Sequence, residues 1–311
     1  MLASLRLLIV GLWLGCFAGF GAHAAATLVI VSSERSTAYL ETAQAMLDEL
    51  ERAGVARNEV LLLTPSEWSA LRPASPKLFV TLGAEAALAL AKAETRAPVL
   101  CTLLPRSSFE RVLRTSGRKP SSQFSALYLS QPLSRQIELM RLALPAARRI
   151  GVLWGPESQA QAPALKALVQ ASGLELVEAS VERDELIFAG LKRILEEADV
   201  LLAVADPQVY NSNSIQNILL TTFRAKVPML AFSPAYVRAG ALLALHVTPT
   251  QIGQQAAALV RPVLQGKVLP ATPVYSHDFQ VAVNQHVARS LGLTLDAETL
   301  RQQLRRSEGA P

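Results

Sequence analysis

Short apolar runs alternate with helical patterns along nearly the whole chain. Thr27–Ser32, Glu59–Leu63, Leu78–Leu82, Pro98–Leu104 and Phe124–Ser130 read as strands, being brief, almost continuous runs of leucine and β-branched residues. Between them the apolar period lengthens to that of a helix. In Thr37–Gly54, Leu40, Ala43, Met46, Leu47 and Leu50 fall on one face and Gly54 supplies the stop. A short helix around Trp68, an alanine-rich one over Ala84–Ala93 and another over Ser107–Thr115 complete this set. The alternation restarts at Leu133. Helices are predicted over Leu133–Leu144, Ala162–Ser172, Leu186–Ala198 and Ser212–Ala225, with strands over Ile150–Trp154, Leu174–Val181, Val200–Ala205 and Pro228–Phe232. A third apolar run of this region ends at Val247, and Thr248-Pro249 opens a helix that runs to Gln265. Pro273–Val283 alternates imperfectly, as an edge or crossing strand would. Val287–Leu291 reads as a short helix, and the charged Arg301–Glu308 is expected to fray.

Strands that are apolar from end to end belong in a parallel sheet covered on both faces. There are too many here for one compact sheet, and the pattern restarts. The expectation is an α/β chain of two doubly wound parallel-sheet lobes. In such sheets the loops at strand C-termini carry function.

The ends and composition narrow the class. Residues 1–24 read as a signal peptide, with Arg6 as the n-region charge, Leu7–Phe20 as the apolar core and Ala22-His23-Ala24 as the cleavage site. An uncleaved anchor and a lipid site at Leu14-Gly15-Cys16 are the alternatives. Removing this leader takes one of 30 basic residues and none of 25 acidic ones, so the balance stays mildly basic. The cations are scattered in sequence, which argues against a nucleic-acid patch and for a solvated face. Only Cys101 remains after cleavage, so no disulfide forms within the chain, and its apolar setting suits an inert thiol. His246, His277 and His286 lack metal-ligand spacing, and no nucleotide-cradling or hydrolase motif occurs. The residues call for no metal, cofactor or catalytic group.

The candidate residues are those at strand ends. Ser32 and Ser33 follow the first strand, and contact a ligand or merely leave Ser36 or Thr37 to cap the helix. Gly83 and Ala84 offer backbone to a ligand or form a plain turn. Trp154 stacks on a ligand or belongs to the core. Asp206 pairs with a ligand ammonium or forms the turn before the next helix. Tyr210 and Asn211 share that loop, and Phe232, Ser233 and Tyr236 form an aromatic–hydroxyl set in the following one.

With Ala84–Ala87 after a glycine-ended strand, Ala146–Pro156, Val237–Leu243 and Ile252–Ala257 in this order, the chain resembles the substrate-binding proteins of ABC transporters. The branch is that of type I periplasmic binding folds, of tryptophan/tyrosine type. The resemblance implies three crossing segments between the lobes. The first lobe would hold 25–130 and 247–272, the second 131–246 and 273–295, with 296–311 as a polar tail. It also implies a small organic ligand, amino-acid-like in several of the family's members, in the interlobe cleft, a membrane permease as partner, a monomeric periplasmic protein and no nucleic acid. Two loops depart from the family pattern, at Asp206-Pro207 and at Pro105–Ser108. A ligand-sensing protein of the same fold that signals to a membrane partner is the alternative.

Overall fold

Leu28–Ser32 (β1) is buried along its whole length, as the unbroken apolar run requires. It lies between Val60–Leu63, an edge strand, and Leu78–Leu82 in a first sheet. In chain order this lobe builds α1 (Thr37–Arg52), β2 (Val60–Leu63), α2 (Pro65–Leu71), β3 (Leu78–Leu82), α3 (Ala84–Lys92), β4 (Val99–Leu104), α4 (Arg106–Ser116) and β5 (Phe124–Tyr128). The second lobe follows with α5 (Leu133–Ala143), β6 (Arg149–Trp154), α6 (Ala162–Ala171), β7 (Glu175–Ser180), α7 (Ile187–Glu197), β8 (Val200–Leu202), α8 (Ile215–Arg224), β9 (Met229–Ala231), α9 (Pro234–Ala239) and β10 (Leu243–His246). The chain then returns through α10 (Pro249–Leu264) and β11 (Val274–Tyr275), and finishes with β12 (Gln280–Val283), α11 (Gln285–Ser290) and α12 (Ala297–Ser307). The computed structural model describes residues 27–73, 76–93, 95–181 and 187–309. The leader, Cys16 and Leu186 lie outside the described residues.

The two sheets have six strands each, in the orders β11-β5-β4-β3-β1-β2 and β12-β10-β9-β8-β6-β7. All pairings are parallel except β10 with β12. The order reverses between β1 and β3 in one sheet and between β6 and β8 in the other, so each lobe has one topological switch point. Leu28, Ile30, Leu78, Val80 and Leu100 face α1 and α10, while Val29, Val31, Phe79, Val99 and Cys101 face α3 and α4. The second sheet is covered the same way on both faces. Burial pushes the Cys101 thiol up to about 12, which keeps it protonated and inert.

Three links join the lobes: residues 129–132, Val247–Thr248 and 276–279. The second link runs straight into a capping box. The Thr248 hydroxyl accepts from the Gln251 N–H, the Gln251 side chain accepts from the Thr248 N–H, and Pro249 occupies the first turn. The third link is held from both sides. Gln255 of α10 donates to Ser276 and accepts from the His277 N–H. Arg135 of α5 donates to the Ser276 carbonyl at 3.0 Å and Arg305 of α12 reaches Asp278 at 3.2 Å. Both guanidinium groups lie over the Phe279 ring, at 4.6 and 5.4 Å from its centroid.

Two details differ from the sequence expectation. The stretch Pro273–Val283, read as one edge or crossing strand, is two strands, residues 274–275 pairing with β5 in the first sheet and Gln280–Val283 with β10 in the second. The charged tail is the ordered helix α12, because Leu300 and Leu304, one turn apart, are buried against the second core. Its polarity belongs to the outer face alone.

Helices α1 and α10 touch most closely at Gly253, where an added Cβ would lie 2.4 Å from the Thr42 carbonyl oxygen. Gly253→Ala is expected to cost about 2 kcal/mol, the scale of a core overpacking. Equilibrium urea unfolding of the purified chain checks this, and an unchanged midpoint would show that the helices separate freely.

Candidate functional site

At the switch point of the first lobe, β1 and β3 end side by side. The Ser32 hydroxyl donates to the Glu34 carbonyl at 2.6 Å. The Ser33 hydroxyl accepts from the Ala86 N–H at 2.9 Å and so satisfies one of the free donors at the start of α3. Ser36, at the cap position of α1, makes no side-chain cap bond. Gly83 has φ +87°, and a Cβ on it would sit 2.7 Å from both the Ser33 Oγ and the Tyr39 hydroxyl. Only glycine meets both demands there. Tyr39 is half-buried; burial first, then the charges of Glu34 and Glu85, push its phenol above the usual range. Beside this cluster is a cavity of about 210 Å³, lined by Ser32, Glu34, Tyr39 and Leu40 among others, all from the first lobe. Ala84 is partly exposed at the first turn of α3.

At the second switch point, Trp154 is buried at 1 % exposure and its indole N–H donates to Glu178 at 2.8 Å. This is the placement of a core residue, with no ring face left open. Asp206 is 2 % exposed. One carboxylate oxygen accepts from the Gln208 N–H, and the other from the N–H groups of Glu157 and Ser158 and from the Ser158 hydroxyl, all at 2.8–2.9 Å. Gly155 permits this, since a Cβ there would lie 2.4 Å from the carboxylate carbon. Asp206 therefore forms its own turn, as one of its two sequence readings held, and also anchors the loop after β6. Tyr210 is buried, with no hydrogen-bond partner for its hydroxyl among the described residues, and burial holds its phenol far above the usual range. Asn211 caps the turn before α8, accepting from the Asn213 and Ser214 N–H groups. Phe232 and Tyr236 are half-buried and stack edge-on with Tyr210, at 5.9 Å (Phe232 with Tyr210) and 5.2 Å (Phe232 with Tyr236) between centroids. Tyr236 donates to the Tyr210 carbonyl, and Ser233 caps α9 by accepting from the Ala235 N–H.

The lobes meet through α4. The Ser107 hydroxyl donates to the Ala205 carbonyl at 2.9 Å, Ser108 reaches Glu157, and Arg111 pairs with Glu157 at 2.9 Å. Strand C-termini of one lobe therefore lie against those of the other. Arg106 opens α4 half-buried, donating to Glu110 and to the Tyr275 hydroxyl. Burial works against its charge, but these two partners hold its pKa raised. Sequence reasoning did not select Glu34, Tyr39, Arg106, Arg111 or Glu157. The departing loop Pro105–Ser108 was the one visible sign of Arg106; Glu157 had none, because the partners of its side chain come from the other lobe. Among the described residues no group of His, Cys, Asp and Glu could hold a metal, and no helix is long and apolar enough to cross a membrane.

A family model described as ABC transporter substrate binding protein matches residues 68–305. The chain belongs to that family. The family binds small-molecule solutes, works with ABC permeases and is in general non-enzymatic. This substrate-binding protein is 24 % identical over 202 residues to a tyrosine-binding protein of Clostridioides difficile; the match covers 63 % of this chain and 57 % of the length of that relative. The ligand-free, open structure of a Clostridium difficile substrate-binding protein with adhesive properties shares the fold at a TM-score of 0.69 and 20 % identity, over 87 % of this chain and 96 % of that one. A Streptococcus pneumoniae ABC domain in complex with L-Trp does so at 0.64 and 18 %, over 89 % and 98 %.

Two outcomes follow from the substrate-binding protein's loops. Asp206→Ala leaves three N–H groups without an acceptor and is expected to lower the stability of the ligand-free protein by about 3 kcal/mol, read by urea unfolding; full stability would show that the loops do not need this anchor. Burial raises the Glu157 carboxyl above the usual carboxylate range, against the pull of Arg111. The folded state then holds a proton there that the unfolded state has released, so this contribution to stability fades as pH rises through the raised value. The melting temperature of the wild type minus that of Glu157→Gln should fall from pH 4 to pH 7; a flat or rising difference contradicts the assignment.

Proposed function

We propose that this chain is the extracytoplasmic receptor of an ABC importer and takes an amino-acid-like solute between its lobes. The observation that carries this reading is the contact between strand-end loops of the two lobes. Ser107 and Ala205 bring the strand ends of the lobes into contact, and the groups around them suit a zwitterion with a flat side chain. Glu34 and Glu85 stand near Tyr39 on one side, as an ammonium would need. Arg106 on α4, now bound to Glu110 and Tyr275, would turn to a ligand carboxylate, and Phe232 with Tyr236 provides an aromatic wall. The tyrosine-binding relative and the L-Trp-bound neighbour support the same class. Ser32, Ser33, Gly83 and Ala84 would act chiefly by shaping backbone at the start of α3, and Trp154 and Asp206 by holding the opposite rim. Export by residues 1–24, after cleavage at Ala24, belongs to this reading.

The mechanism is differential affinity. Contacts from both lobes exist together only when the lobes are closed, so a ligand shifts the open–closed equilibrium and presents the closed form to the permease. Arg111–Glu157 and Ser107–Ala205 are interlobe contacts that need no ligand.

A thermal-shift panel of amino acids, sugars, purines and organic acids tests the class. At about a hundred times its Kd, the right ligand stabilises the fold by about 2.7 kcal/mol. The expected hits are aromatic L-amino acids, with Phe232→Ala weakening the best of them by roughly tenfold, or about 1.4 kcal/mol, in calorimetric titration. Hits confined to sugars or purines would overturn the amino-acid assignment. A cognate permease that is not stimulated by the liganded protein in vesicles would overturn the import role.

A further inference from the structure

The cations that are scattered in sequence gather in the fold. Helices of a doubly wound lobe run antiparallel to its strands, so helix C-termini arrive where strands begin. Arg72 ends α2, Lys92 ends α3, Lys77 precedes β3 and Arg96 precedes β4. All four are exposed, and all line one open groove of about 960 Å³ whose wall includes Trp68 and Phe79, packed edge-to-face at 6.3 Å. The groove lies at the end of the first sheet opposite the switch point.

Among the described residues none of these four cations stands within ion-pair distance of a carboxylate. The acids at the foot of α1 are engaged elsewhere: Asp48 and Glu51 bind Arg57, and Glu49 binds Arg52. Glu59 accepts from the Thr27 hydroxyl. The usual reason for a cation at a helix C-terminus, neutralising its carbonyls, is already met at α3 by Arg118, which donates to the Ala91 and Ala93 carbonyls at 2.6 Å. Lys92 and its neighbours are left to face outward. Beside them, Leu71 is 64 % exposed on the last turn of α2. Cations with an indole and an exposed aliphatic side chain have the composition of a surface that rests in a lipid headgroup layer.

The first strand of the lobe begins at this edge as well, the Lys77 N–H donating to the Thr27 carbonyl and the Thr27 N–H to the Glu59 carbonyl.

We propose that the N-terminal edge of the first lobe, centred on Arg72, Lys77, Lys92 and Arg96, docks on an anionic phospholipid surface, with Trp68 and Leu71 at headgroup depth. Docking would leave the interlobe cleft, at the other end of the sheet, open to solvent. Each basic side chain held near such a surface is worth about fivefold in partition.

The experiment is co-sedimentation of the chain starting at Ala25, which keeps every described element, with phosphatidylcholine vesicles with and without phosphatidylglycerol. Binding is expected only with the anionic lipid and is expected to vanish in 0.5 M salt. Arg72→Glu with Lys92→Glu should lower it by about 25-fold or more. Arg289→Glu with Arg306→Glu, equally exposed on the second lobe and equal in charge change, should leave it within about twofold. Trp68 emission should shift blue on binding in the wild type and the shift should be absent in Trp68→Phe. Equal loss in both double variants would mean that net charge alone is responsible and would overturn the proposal. So would the absence of binding to anionic vesicles, or full competition by millimolar inorganic phosphate, which would mark a small-anion site.

Discussion

Phe279 carries two guanidinium groups over its ring, one from α5 and one from α12, at the point where the chain passes between lobes for the last time. Much of the architecture depends on that arrangement. A linking segment has no sheet or helix of its own to satisfy its backbone, so its polar groups must find partners in the two bodies it joins. Gln255 supplies them from the first lobe and Arg135 from the second. Ser276 is thereby buried without being orphaned, its hydroxyl passing a bond on to the Asp278 carbonyl. The helix that ends the chain is part of this structure, because Arg305 reaches the same segment.

The candidate site uses the same economy. Its most conspicuous polar side chains are largely occupied in holding loops. Asp206 ties the rim after β6 to the rim after β8, Ser33 caps a neighbouring helix, and Ser233 caps its own. Above them lie Tyr39 with its acidic neighbours, the Phe232–Tyr236 pair and Arg106 at the start of α4. In the proposed receptor the inner layer would fix geometry and this outer one would meet solute, so that a scaffold could keep its shape while its specificity changes.

The strands were legible in the sequence because each is buried on both faces and so is apolar throughout; β1 and β3 needed no context to be recognised. The restart at Leu133 revealed two lobes for the same reason. Trp154 and Asp206 were harder, since their positions at strand ends suited ligand contact and structure alike, and only the partners Glu178 and Ser158 separate the two. The helix α12 was misjudged because two leucines four residues apart bury it while every other position except Ala297 stays polar. Glu157 was invisible: its partner Arg111 is far away in the chain, and no local pattern encodes a contact across lobes. The groove cations fell only under the general expectation of a solvated basic face, and their convergence is a property of topology.

The link Val247–Thr248 has a mechanical consequence. Because the capping box locks Thr248 to α10 and Leu243–His246 is held in the second sheet, only Val247 is free at that point, and the two chain steps from His246 to Thr248 reach roughly 7 Å when extended. The lobes cannot slide past one another or draw apart there. Of the six rigid-body degrees of freedom that two bodies have, translation is essentially removed, and what survives is rotation about an axis close to this link. Any opening of the structure must therefore grow with distance from Val247, being smallest beside it and largest at the far rims.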